Sequence, residues 1–321
     1  MVVGANDKGQ RLDRFLKKYF DAAPLSMIYK MIRKDVKVNG KRAKEQTILV
    51  EGDLLKVYIS DEDAAVFHRE RRLAKARKQF RIAYEDEDML VVSKPFGLLT
   101  HGDGKEKKNT LANQVIGYLQ EKGEYSPAAE KTFRPAPVNR LDRNTTGLVI
   151  FGKTAEATRR LAAQIKDHEE IEKYYLTIVA GQLKEERRIE SVLEKDEDSN
   201  TVRTADEPSD QNADTQKGKS ATTIVRPLQS ARGYTMVEVQ LITGRTHQIR
   251  AHLAAEGFPI IGDRKYGQPK VNKSMKDRFN LDAQLLHAYK LVVTGRDGRK
   301  IEIEDRLTPA FTRVKEGLFG E

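Results

Sequence analysis

The chain has 321 residues, 38% of them apolar and 33% charged, and its 58 Lys and Arg exceed its 48 Asp and Glu. That length fits more than one domain with a real core, and the net charge of +10 suits a polyanionic partner. The lack of cysteine excludes disulfide frameworks, thiolate zinc sites and cysteine nucleophiles; with no signal-peptide pattern at the start and no run of about 18 apolar residues, a cytoplasmic protein without membrane contact is expected.

Charge is concentrated at the front. Residues 1–60 carry thirteen Lys or Arg against seven Asp or Glu, which makes them a basic module. Leu12, Phe15, Leu16 and Tyr19 recur at helical spacing, so Gly9 to Phe20 is read as a short amphipathic helix. Ser26 is expected to cap a second helix, Met27 to Lys34, with Ile28, Met31 and Ile32 inward and Lys30, Arg33 and Lys34 outward. Val36 to Arg42 then reads as a hairpin turning at Asn39-Gly40, and Ile48 to Ile59 as a further β segment. Basic side chains on so small a frame, among them Arg14, Lys30, Arg33, Lys34, Lys41 and Arg42, suit phosphate contact, although a solvated face has the same composition. The order Arg11-Leu12-Asp13, Ser26-Met27-Ile28-Tyr29, Val38-Asn39-Gly40-Lys41 and Glu51-Gly52-Asp53 resembles the αL RNA-binding motif of a small-subunit ribosomal protein.

Residues 61–80 are dense in charge and poor in apolar anchors and are read as a charged linker with room for some helix. From Phe80 the pattern becomes that of a larger folded domain, residues 81–321: strands over Ile82 to Tyr84 and Met89 to Ser93, a bend at Pro95 and Gly97, and helices from Leu111 and Ala155 capped by Thr110 and Thr154. Between the helices, the polar run Asn139-Arg140-Leu141-Asp142-Arg143-Asn144-Thr145 opens through Gly147 onto the buried strand Leu148 to Phe151. Asp142 is its only acid. By itself the run also fits a turn held by Asp and Arg hydrogen bonds. Glu172 to Gly181 is a strand with Lys173, Tyr175 and Thr177 on one face, and residues 194–219, almost without apolar side chains, are expected as a flexible polar insertion.

The second dense motif, Thr243-Gly244-Arg245-Thr246-His247-Gln248-Ile249-Arg250-Ala251-His252, reads as a strand end handing over to a helix capped near Thr246 and stopped by Gly257 and Pro259. His247 and Arg250 then share a face that can aim a cation at a carboxylate elsewhere. The histidine spacing does not match a helical zinc motif, and no phosphate-cradling glycine loop or Gly-x-Ser-x-Gly elbow occurs, so no metal or cofactor is expected.

Taken together, Lys94-Pro-x-Gly97 with His101, Arg140-Leu-Asp142-x-x-Thr145-Thr-Gly147-Leu, Lys173-x-Tyr175, Gly244-Arg-Thr-His-Gln-Ile-Arg250-x-His252, Pro259-Ile with Gly262-Asp263, and Leu286-His287 resemble, in this order, the RluA family of RNA pseudouridine synthases in its RluC/RluD form. Asn139 departs from the histidine usual before Arg-Leu-Asp, and the 194–219 insertion is a second departure. The resemblance implies an α+β catalytic domain on a mixed, mainly antiparallel central sheet, working as a monomer on large-subunit ribosomal RNA without cofactor. It implies Asp142 as nucleophile or base at the sugar of a flipped-out uridine, Arg250 as its partner, and Tyr175 stacked on the base. Arg140, His247 and Leu286 are the substrate contacts it suggests. The alternative is an RNA-binding ribosome-assembly factor that keeps the scaffold without the catalysis.

Overall fold

The computed structural model describes residues 1–67, 76–167, 170–196, 201–205 and 218–320. At the front, Leu12–Tyr19 (α1) and Leu25–Lys34 (α2) pack on a small sheet of Val36–Val38 (β1), Lys41–Arg42 (β2) and Leu55–Val57 (β3), ordered β2-β1-β3. Leu12, Phe15, Leu16, Ile28, Met31 and Ile32, the inward positions of both helices, share one core. The hairpin turns at Asn39 and Gly40, with φ 51° and 79°, the left-handed pair that an Asn-Gly turn requires. Three local expectations shift. Helix α2 begins two residues earlier, after Pro24, so Ser26 lies inside it and makes no cap. The segment from Ile48 is mostly irregular, because Leu49 and Leu55 anchor it singly rather than in alternation. In the stretch read as a linker, Asp61–Phe67 forms the helical part, α3, but it is anchored to the module, with Phe67 edge-on to Phe20, 6.4 Å away.

The remaining elements are Arg81–Glu85 (β4), Met89–Lys94 (β5), Leu111–Glu121 (α4), Ala136–Pro137 (β6), Thr146–Gly152 (β7), Ala155–Asp167 (α5), Ile171–Ala180 (β8), Arg187–Asp196 (β9), Thr201–Ala205 (β10), Gly218–Ala231 (β11), Tyr234–Leu241 (β12), Gln248–Ala255 (α6), Pro269–Phe279 (α7), Leu286–Thr294 (β13), Lys300–Glu304 (β14) and Pro309–Phe319 (α8). Among the described residues the strands β4 to β14 form one sheet, with the path β10-β9-β11-β12-β8-β13-β7-β5-β4 and with β14 and β6 added beside β13 and β7. Every pairing is antiparallel except β13 with β7. This is the mixed, mainly antiparallel α+β architecture expected from the sequence. Alternation along β7 divides the core: Val149 and Phe151 face the side covered by α4, while Leu148 and Ile150 face Leu161 of α5. Thr110 and Thr154 cap these helices through the backbone N–H groups of Asn113 and Ala157.

Of the stretch expected as a flexible polar insertion, residues 194–196, 201–205 and 218–219 lie in strands, and residues 197–200 and 206–217 fall outside the described ones. The physical reason is Val202, which is buried with Leu193, Ala221 and Ala251 and folds the hairpin onto α6. A single apolar residue there outweighs the polar composition around it. Among the described residues no helix is long and apolar enough to cross a membrane.

Candidate active site

The loop carrying Asp142 is pinned at four points. Asn139 accepts from the Ile150 N–H at 2.8 Å and donates to Leu148 O, tying the loop's start to β7. Thr100 Oγ1 accepts from Leu141 N and donates to Leu141 O. The buried Lys94 ammonium donates to Pro95 O, Leu98 O and Arg143 O. Thr145 N closes a turn on Asp142 O at 3.1 Å. The run is therefore a turn and a site rim at once. Burial pulls the Lys94 pKa down to about 7, opposed by the Asp142 charge, yet three carbonyl acceptors use all three protons of the charged form. Gly147 sits where β7 meets β13: its φ is 111° and a Cβ there would lie 2.1 Å from Ala288 O, so only glycine lets the loop enter the sheet at this point.

Helix α6 supplies the partner. Arg250 Nη1 donates to Asp142 Oδ2 at 2.8 Å, while its Nε and Nη2 grip the fully buried Asp263 at 2.7 and 2.9 Å. One guanidinium thus bridges a carboxylate at the pocket and a carboxylate in the core, which fixes its fork in one orientation. Burial opposes the ionised form of Asp263, but the Arg250 contacts and the Lys265 and Tyr266 N–H groups outweigh it and hold its carboxyl below the usual range. The start of α6 is not capped by Thr246. No side chain caps it; the buried Gln248 instead ties the turn before the helix to β11, its amide oxygen accepting from Thr243 Oγ1 and Arg245 N and its nitrogen donating to Thr222 O and Thr223 Oγ1.

His247 occupies the N-cap of α6 in a left-handed conformation, φ 53°. Its Nε2 is 3.8 Å from Asp142 Oδ2, and burial lowers its pKa, so at neutral pH the contact is polar rather than ionic. Its Nδ1 meets Tyr266 Oη at 3.0 Å, and that hydroxyl accepts from Val202 N of β10 at 2.7 Å. With its oxygen engaged by a backbone N–H, the Tyr266 proton is directed to Nδ1, leaving Nε2 as the N–H facing Asp142. His252, one turn on, is instead enclosed by Ser191 and Thr223, with burial pushing its pKa down to about 4.

Strand order brings the third side to the site. In β8, Tyr175 lies opposite Ala288 of β13, and Ala288 lies opposite Gly147 of β7, so Tyr175, Leu286 and Asp142 converge where three adjacent strands meet. A pocket of about 210 Å³ is lined by Asp142, Tyr175, Arg250, Arg140, His247 and Leu286 together with Lys173. Burial and the Asp142 charge push the Tyr175 phenol well up, and burial lowers the Lys173 ammonium to about 8. The six candidate residues for catalysis and substrate contact thus share one cavity. The candidate RNA contacts Arg14, Lys30, Arg33, Lys34, Lys41 and Arg42 are all exposed, on α1, α2 and β2. Sequence reading assigned no role to Asp263, Tyr266, Lys94 or Thr100. Lys94 and Asp263 did stand in the motif set, and Asp263 and Tyr266 follow the Gly262 turn (φ 77°), where a Cβ would strike Ala283 O at 2.3 Å.

Known proteins share both the chain and the site-bearing region. The profile of the RNA pseudouridylate synthase family matches residues 88–255, a span that holds Asp142, Tyr175 and Arg250. The chain belongs to this family. Among curated members, ribosomal large subunit pseudouridine synthase C of Vibrio parahaemolyticus is 31% identical over 287 residues, covering 87% of this chain and 83% of its own. Ribosomal large subunit pseudouridine synthase D of Yersinia pestis is 32% identical over 297 residues, covering 89% and 84%. Among solved structures, human RNA pseudouridylate synthase domain containing 4 aligns with a TM-score of 0.58 at 19% identity, covering 73% of this chain and 91% of its own, which shows a shared synthase fold. As a synthase the protein is an isomerase.

Proposed function

We propose that the protein isomerises uridines of large-subunit ribosomal RNA to pseudouridine, with Asp142 as the essential carboxylate. The observation that carries this reading is the bridge Asp142–Arg250–Asp263 opening on a pocket walled by Tyr175. The reaction breaks the bond from ribose C1′ to uracil N1, turns the base, and forms the bond from C1′ to C5; the proton lost from C5 is balanced by one gained at N1. Asp142 acts at the sugar, as nucleophile on C1′ or as base on the neighbouring proton, and the Arg250 hydrogen bond presents its oxygen in one direction. Tyr175, held protonated by burial, stacks on the extruded base and offers its O–H rather than a phenolate. Arg140, exposed at the rim, fills the space that the uridine vacates, and Leu286 and His247 line the base's seat.

In this reading residues 1–60 are an RNA-binding module, 61–80 connect it, and 81–321 are the catalytic domain, active as a monomer in the cytoplasm. All pocket residues come from one chain, so no second copy is needed to complete it. The intact trio Asp142, Tyr175 and Arg250 favours an enzyme over a ribosome-assembly factor that only binds. The test is pseudouridine mapping of ribosomal RNA from cells whose sole copy carries Asp142→Asn, beside binding of that variant to the same RNA. Retained binding with modification reduced by at least roughly 10²-fold to 10⁴-fold is expected. Modification at undiminished levels at every site would end the claim.

A further inference from the structure

The module does not hang free of the sheet. Asn6 donates to Glu130 and accepts from Ala155 N at the start of α5, Gln10 reaches Thr132, Thr132 donates to the Asp7 carboxylate, and Lys8 lies 3.6 Å from Glu156. This hinge of polar contacts leaves a cleft of about 1310 Å³ beside it. One wall is α1 with its approach, presenting Arg11, Arg14, Lys17 and Lys18. The other wall belongs to the catalytic domain and presents Lys107, Lys108, Arg134 and Arg159. Asp21 is the only acid among the lining residues. Arg11 and Lys17 are partly answered by Asp13, but among the described residues Arg14, Lys107, Lys108 and Arg159 form no ion pair.

We infer that this groove seats the sugar-phosphate backbone of a double-helical part of the RNA substrate, so that catalytic domain and module grip one helix from two sides. The inference rests on the proposed RNA substrate and adds a second anchoring place to it. Like charges held face to face need a counter-charge from outside, and a polyanion supplies it by releasing its own counterions. A share of that repulsion is visible at Lys18, whose ammonium is depressed below its ordinary value by burial first and then by the charge of Arg159, with Arg14 adding a smaller push and Asp7 opposing. A single strand would be held by exposed aromatic faces on which bases stack, yet the lining aromatics Tyr125 and Phe133 are buried, at 6% and 7% exposure. A surface of cations without stacking platforms reads phosphate rows, as helical RNA presents them. The groove is also joined to the pocket. The segment after Thr100 starts at His101, whose pKa is lowered by burial and by the charge of Arg140, passes Asp103, which pairs with Arg143 at 3.1 Å, and ends at Lys107 and Lys108. A helix lying in the groove thus continues toward the rim of the Asp142 loop.

The test compares the unaltered 321-residue chain with a groove variant, Lys107→Gln, Lys108→Gln, Arg134→Gln and Arg159→Gln, and with a control variant removing exposed or half-exposed cations elsewhere, Arg296→Gln, Arg299→Gln, Lys300→Gln and Lys315→Gln. Affinity is measured against salt for transcribed large-subunit RNA, a short RNA duplex and poly(U), alongside pseudouridine formation in the transcript. The groove variant should lose about tenfold or more in affinity for transcript and duplex, with a salt slope shallower by up to about three to four, at ~0.9 per lost phosphate contact. The control and the poly(U) arm should change little. A second variant from the facing wall, Arg14→Gln with Lys18→Gln, should weaken the same arms. Equal losses in groove and control variants, or a loss on poly(U) matching that on duplex, would overturn the inference. A wild-type protein that forms no pseudouridine would overturn the proposed function instead, while the affinity arms still decide the groove.

Discussion

Around Asp142, one guanidinium is held between two carboxylates at 2.7 to 2.9 Å and largely removed from water, whereas the groove is lined by eight cations and a single acid in the open. The two regions use the same side-chain types for different ends. A buried, hydrogen-bonded pair is little screened by salt and costs more to break than it yields in net stability, so it fixes geometry. Exposed cations add little to the fold and respond steeply to salt, so they serve affinity. On the proposed function and the inferred groove, the first arrangement sits where an atom must be aimed and the second where a long anion must be held.

The sharpest way to break this contrast is at Asp263. Asp263→Ala leaves Arg250 buried without its bidentate partner and is expected to cost roughly 3–5 kcal/mol in denaturant unfolding; a loss under about 1 kcal/mol, as for an exposed pair, would remove the distinction. The same pair predicts a pH effect. Because the carboxyl of Asp263 is held below its ordinary 3.8, its stabilising contribution is complete above that value and is lost as the pH falls through the folded one. Acid unfolding of the wild type should therefore contain a component that Asp263→Asn lacks. On the cationic side, Lys30→Ala with Arg33→Ala and Lys34→Ala should weaken RNA binding and make the salt slope shallower by about two to three, with thermal unfolding unchanged. Binding unchanged at every salt concentration would remove these residues from the RNA contact. The smallest effect is expected at Tyr266. Tyr266→Phe frees the His247 tautomer, and a several-fold fall in kcat with an altered pH profile but the same KM would mark Tyr266 as a positioning residue; an unaltered profile would leave it as packing alone.

Much of this was legible locally. Thr110 and Thr154 announce their helices, Asn39-Gly40 its hairpin, and Leu148 to Phe151 its buried strand, because caps, left-handed turns and alternation act over a few residues. Motif order carried the resemblance to the family and singled out Asp142, Tyr175 and Arg250. The hairpin carrying Val202 was hidden, since one buried valine in a polar stretch leaves no periodic signal. The turn into α6 was hidden for a related reason: Gln248, which holds it, is anchored on Thr222 and Thr223 of β11, two strands back in the sequence.

The sequence by itself determined many of the strands and helices, where charge gathers, and which side chains are candidates for chemistry. Only the tertiary structure decided who meets whom. Asp142 and Arg250 stand 108 residues apart, and the order β8-β13-β7, together with α6 packed across it, is what closes that interval to one hydrogen bond. Asp263 and the far wall of the groove have the same origin. Local propensity is written in neighbouring residues, but a pairing of charges is a property of the path that the sheet takes between them.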